Sequence, residues 1–270
     1  MRFVPIARRD RITATNAAPP GQSRDVKFRI RPLPILVTIV LGLGLPILAA
    51  VLLQLAGHYL SFLPTPDGPT LPWLYAHHAV QVALALIAIA IVRVFVPADY
   101  GLHLPRGKPY VAAAILWGVF FGVLMTIVDY APQLLAHRAP LLDYKLTTAN
   151  VAGWLGFEGI YVGPTEEIPF RALLVTYLAA TMPGKLRLGR FDMNWAGVIV
   201  ALIFALAHAA NFATHPGWIA LGQQLYAFAL GVLYAYWQEK SKSVVAPIVG
   251  HNMSDVTEYA LLFVWVGLAG

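Results

Sequence analysis

The chain has 270 residues, 59% of them hydrophobic and only 12% charged. Soluble globular domains average about 25% charged residues, so this chain lacks the polar surface to cover itself in water. It holds no cysteine, which excludes disulfides and thiolate chemistry.

The net charge is +6, and it is not spread evenly. Residues 1–31 carry Arg2, Arg8, Arg9, Arg11, Arg24, Lys27, Arg29 and Arg31 against Asp10 and Asp25, which leaves the remainder formally neutral. A positive segment just ahead of a first apolar run holds an N-terminus in the cytoplasm. Pro-Pro-Gly and serine in the same stretch read as a disordered, solvated tail. No nucleic-acid partner is inferred from this charge. The segment is too long before the apolar run, and has no small-residue cleavage pattern, for a secretory signal.

Apolar runs then follow near residues 33–57, 73–96, 109–130, 154–180, 195–214, 217–237 and 244–268. Several exceed the length needed to cross a hydrocarbon core of about 30 Å. The expected fold is all-α, a polytopic membrane helix bundle over residues 32–270 with about seven transmembrane helices. With the N-terminus inside, the basic loops 97–108, 181–194 and 238–243 also fall inside and the C-terminus falls outside. Only 131–153, with Arg138 and Lys145, runs against that rule; a short or re-entrant helix around 131–150 would raise the count to eight. The expected location is the cytoplasmic (plasma) membrane.

Ionisable residues inside the bilayer are costly, about 2.5–3.5 kcal/mol each at mid-helix, and mark function. The second run has His77 and His78 near its outer end, and the third ends at Asp129. The fourth holds Glu158, Glu166, Glu167 and Arg171, the fifth His208, and the seventh His251, Asp255 and Glu258. Glu167 and Arg171 stand at i and i+4, about 40° apart around a helix, and can pair. Glu166 points about 100° away from Glu167, which leaves it free as the candidate general base. Pro164 and Pro169 disturb the helix around these residues. Phe204 and His208 share a face at i, i+4, with Asn211 as a candidate partner for the imidazole. His251 and Asp255 repeat that spacing, and Glu258 continues the face. The run boundaries put His251 about two turns nearer the cytoplasmic side than His208.

Glu166-Glu167-x-x-x-Arg171, then Phe204-x-x-x-His208, then His251-x-x-x-Asp255, on successive late spans, resembles the CPBP family, the CAAX protease and bacteriocin-processing proteins. The resemblance covers about residues 105–260. Pro164, Tyr234-Ala235-Tyr236 and Ser243 through Pro247 fit the family's run-up to these motifs. The resemblance implies an intramembrane endopeptidase acting on membrane-associated or lipidated peptides or proteins, in contact with membrane lipid. Glu166 would activate water with help from His208. His251 and Asp255 would stabilise the oxyanion, and Glu167, Arg171 and Phe204 would support the site. Asp255 replaces the asparagine of many members, and a charged carboxylate does not donate to an oxyanion. Family members are often described as metalloproteases; a divalent metal such as zinc would be held by Glu166, His208 and His251, while a glutamate-activated water needs none. Two other readings of the same residues stand beside this one: a non-catalytic membrane partner such as a bacteriocin-immunity protein, and a proton- or ion-coupled transporter.

Overall fold

Uninterrupted apolar sequence favours helices, because only a helix satisfies its own backbone groups without water. The computed structural model describes residues 30–59, 70–189 and 191–269, so the basic tail falls largely outside the described residues. Its long helices are α1 (Pro32–Tyr59), α2 (Leu71–Phe95) and α3 (Val111–Asp129). A five-residue helix, α4 (Ala131–Leu135), and an irregular connection follow, in place of a re-entrant helix across 131–150. Next come a helical rod at 148–181, here α5, and a small hairpin of β1 (Lys185–Leu188) and β2 (Phe191–Asn194). The chain ends with α6 (Trp195–Ala207), the short α7 (Asn211–Thr214), α8 (Gly217–Ser241) and α9 (Val245–Ala269). Five segments are long and apolar enough to cross a membrane: Pro32–Gly57, Leu71–Phe95, Val111–Asp129, Trp195–Thr214 and Gly217–Ser241. The two other long helical segments, α5 and α9, carry most of the intramembrane ionisable residues.

The structure corrects the all-α expectation in one place. Lys185-Leu-Arg-Leu and Phe191-Asp-Met-Asn alternate with period two, the pattern of a strand. They pair antiparallel, Lys185 opposite Asn194 and Leu188 opposite Phe191, with Gly189 in the left-handed region at φ +58°. Asn194 then caps α6 by accepting the Ala196 N–H at 2.8 Å.

Helix contacts follow small residues, as expected where lipid removes any hydrophobic drive between helices. Gly118 and Gly122, one turn apart on α3, lie against Gly250, Met253, Ser254 and Thr257 of α9. A Cβ on Gly118 would come within 2.6 Å of Met253 Cβ and 2.8 Å of the Gly250 carbonyl. Large apolar side chains such as Leu48, Val94, Phe95, Leu116 and Phe120 are exposed, as a lipid-facing surface requires.

The connections sort into two ends. At one end Arg31 Nη1 donates to the Thr181 carbonyl, the Arg106 and Gly107 N–H groups donate to the Ser241 carbonyl, and Val244 N–H donates to Gly101. Lys185 of the hairpin reaches Asp192 at 3.2 Å and Glu239 at 3.7 Å, on the same end. At the other end the loop after α4 meets the start of α5 and the end of α9: Tyr144 stacks on Trp154 at 5.4 Å and meets Phe263 edge-on. The three basic loops therefore share one end with the start of α1.

Candidate active site

The spine of the site is α5. Pro164 and Pro169 each lack an N–H and crowd the carbonyl four residues back. The helix widens into two π-type turns, Phe157–Tyr161 and Ile168–Val175, on either side of an α segment Val162–Glu167. Val162 N–H bonds the Phe157 carbonyl, five residues back. The Thr165 carbonyl, which Pro169 cannot serve, accepts from Gln81 Nε2 of α2 at 3.2 Å. Gly163 N–H donates to Asn252 Oδ1 of α9 at 2.8 Å, and the absence of a Cβ at Gly163 permits that approach.

Between the wide turns the two glutamates diverge. Glu167 and Arg171 have no solvent exposure, with Arg171 Nε 3.0 Å from Glu167 Oε2. The guanidinium lies over the Phe204 ring at 4.4 Å and within 5.4 Å of the Tyr234 ring centre. The other Glu167 oxygen lies 2.7 Å from His251 Nδ1. Glu166 instead faces a cavity of about 530 Å³ that neither Glu167 nor Arg171 lines. Its Oε1 lies 3.9 Å from His78 Nε2 and its Oε2 lies 3.8 Å from His251 Nε2, both beyond hydrogen-bond reach. No described residue donates a hydrogen bond to it.

His208 and His251 line the same cavity as Glu166. His208 follows the last residue of α6, where the helix tightens and His208 N–H bonds Ala205 O at 2.9 Å. Its ring meets Phe204 edge-on at 5.0 Å, and Nδ1 donates to the Phe204 carbonyl at 2.9 Å. That bond assigns the proton to Nδ1 and leaves Nε2 as an acceptor. Asn211 is not the partner of the His208 ring: its Nδ2 donates to Gln223 Oε1 at 2.6 Å instead, because the turn after Ala207 carries it toward α8. The depth gap expected between His208 and His251 does not separate them, since one cavity reaches both.

On α9, Asp255 Oδ2 lies 3.2 Å from His251 Nε2, and Ser254 Oγ donates to Asp255 Oδ1 at 2.9 Å. His251 therefore has a carboxylate at each ring nitrogen. Among the described residues no group of three or more His, Asp and Glu side chains is placed to hold a metal ion. Glu166, His208 and His251 do not form a ligand set in this arrangement.

Residues that spacing within single helices did not single out complete the surroundings. His78 Nδ1 lies 3.0 Å from Thr165 Oγ1, whose own proton goes to the α5 backbone, so Nδ1 is the donor. This places the ring beside Glu166. The ionisable pair His77-His78 in an apolar run was the available signal; the roles of Gln81 and Asn252 had none, since each depends on a neighbouring helix.

A family model described as Type II CAAX prenyl endopeptidase Rce1-like matches residues 148–257, from the start of α5 well into α9. No curated protein and no solved structure matches the chain.

Proposed function

We propose that this chain, whose residues 148–257 match the Rce1-like CAAX prenyl endopeptidase model, is a CPBP-family intramembrane endopeptidase that cleaves with a glutamate-activated water. The observation that carries this reading is the division of labour on α5. Glu166 is free and faces the cavity with His208 and His251, while Glu167 is consumed in a dry pair with Arg171.

In this mechanism Glu166 takes a proton from water, aided by Nε2 of His208, and the water oxygen bonds to the scissile carbonyl carbon. The carbonyl π electrons move to its oxygen. His251, at the cavity wall between Glu166 and Asp255, shares its one Nε2–H between the Asp255 carboxylate and that oxyanion as the charge develops. Asp255 accepts rather than donates, so it orients and charges His251 instead of binding the oxyanion itself. On collapse the C–N bond breaks, and the proton held by Glu166 passes to the leaving amine. Arg171 and Phe204 keep Glu167 and His208 in place. The substrate is a membrane-associated or lipidated peptide, with lipid around the bundle.

This reading takes seven crossings, counting α5, α9 and the 195–214 segment with the four other long helices, and by the positive-inside rule takes the basic end as cytoplasmic. The cavity opens at the opposite end. Exposed Leu141 and His215 on its rim belong to connections there, and no residue of the basic loops lines it. The bond to be cut is then presented from the non-cytoplasmic side.

Two experiments test this. In proteoliposomes with a lipidated peptide, Glu166→Gln and His208→Ala each abolish cleavage while insertion stays normal; full activity in both variants rules the chemistry out. The absence of cysteine permits clean labelling on intact cells with a membrane-impermeant maleimide. Leu141→Cys and His215→Cys react from outside while Lys108→Cys and Lys242→Cys do not, and the reverse pattern overturns the orientation.

A further inference from the structure

The cavity that Glu166 faces is lined by further carboxylates with no role in the proposed hydrolysis. Asp129 of α3, Glu158 of α5 and Glu258 of α9 all face it, and no lysine or arginine does. Among the described residues the basic side chains on the wall are His208, His215 and His251. The three carboxylates are buried: 8% exposed for Asp129, 6% for Glu158 and 9% for Glu258. Asp129 accepts from the Tyr226 hydroxyl at 2.9 Å. Glu258 takes part in no hydrogen bond or ion pair among the described residues, although it is nine-tenths buried and lines the cavity.

A carboxylate taken out of water without a partner is expensive, and a cation entering beside it offsets that cost. The neighbouring wall decides which kind of cation. Tyr130, Tyr226 and Tyr259 line the same cavity. Tyrosine rings together with carboxylates suit an ammonium or guanidinium, whose apolar stem also needs contact. A bare metal ion would want converging oxygens, and no such group is present among the described residues.

Position along α9 gives the register. His251, Asp255 and Glu258 stand at i, i+4 and i+7, on one face of the helix. Seven residues of helix span about 10 Å. An extended peptide advances about 3.3 Å per residue, so Glu258 lies about three residues from the carbonyl held at His251.

We propose that Asp129, Glu158 and Glu258 form a specificity subsite for a lysine or arginine side chain of the substrate, about three residues from the scissile bond on the side toward the cavity mouth. The register rests on the endopeptidase reading; the cation preference does not. Neither Asp129 nor Glu258 belongs to the proposed hydrolytic machinery. Glu258 and Asp129 lie outside the segment that matches the protease family, while Glu158 lies within it.

The test is a binding measurement on the full chain in lipid nanodiscs, carrying Glu166→Gln so that nothing is cut. The probes are fluorescent farnesylated dodecapeptides with one lysine moved stepwise along the chain, and a matching series with norleucine. At one register lysine binds at least about tenfold tighter than norleucine, about 1.4 kcal/mol. Adding Glu258→Gln or Asp129→Asn cuts that preference below about threefold. Both leave norleucine binding unchanged, which reports that the variant is folded. The proposal is overturned if no register prefers lysine, or if the preference survives both substitutions. If instead the native chain cleaves none of the peptides while the lysine preference stands, the hydrolytic reading fails and the cation subsite remains.

Discussion

The cavity floor and the dry layer behind it are built by the same turn of α5, and they treat charge in opposite ways. Glu166 faces open space with two imidazoles just out of reach, at 3.8 and 3.9 Å. Glu167, its neighbour in the chain, has no exposure and is held by Arg171 at 3.0 Å and His251 at 2.7 Å. A membrane protein can keep a carboxylate by neutralising it internally or by giving it water, and here one residue step separates the two solutions. His251 joins them, with Nδ1 on the dry side and Nε2 on the wet side. The dry layer thus holds the ring that the cavity uses.

That contrast can be broken experimentally, and the largest effect belongs to the floor. Glu166→Gln lowers kcat by roughly 10²–10⁴, the range of a lost general base, and leaves the thermal unfolding midpoint in detergent unchanged. A variant that keeps its activity would show that the free glutamate is not the base. Next comes the dry layer. Arg171→Met strands the Glu167 charge and costs about 3–5 kcal/mol of stability. Tryptophan fluorescence should report an unfolding midpoint lower by roughly 10 °C. The double variant Glu167→Gln with Arg171→Met recovers most of that loss, because the stranded charge is gone; no recovery would mean that the pair is not an isolated unit. The smallest effect is at the boundary. His78→Phe keeps the ring volume beside Glu166 but removes the imidazole, and should lower kcat by about tenfold or less with KM unchanged, because a polar neighbour of Glu166 is lost but no hydrogen bond to it. A change in KM alone would make His78 a contact for substrate rather than a positioning residue for Glu166.

Much of this site was legible before any coordinates. The pairing of Glu167 with Arg171 follows from a spacing of four on a helix, and the widened turn at Ile168–Val175 does not disturb it. The packing of Phe204 on His208 follows the same rule. These are contacts within one helix, where sequence separation sets geometry. Asn211 failed as a partner for His208 because the helix stops at Ala207, and spacing rules stop with it. The hairpin at 185–194 was overlooked because its two alternating segments are only four residues each, between much stronger helical signals. Asp255 as an orienting partner of His251 was half visible, in the spacing but not in the hydrogen-bond assignment.

Composition alone required a membrane: so few charges on so much apolar surface leave no other solvent for the chain. Helical spacing alone separated Glu166 from Glu167, since a 100° step cannot keep both on one face. Which helices meet was beyond the reach of any local pattern. That His78 and Gln81 of α2 stand beside α5, that Asn252 caps Gly163, and that Asp129, Glu158 and Glu258 from three distant segments share one cavity wall were settled by packing. The hydrogen bonds among them join residues 84 to 89 positions apart, and only the close approach of whole helices, at glycines such as Gly118, Gly122 and Gly163, brings such residues into range.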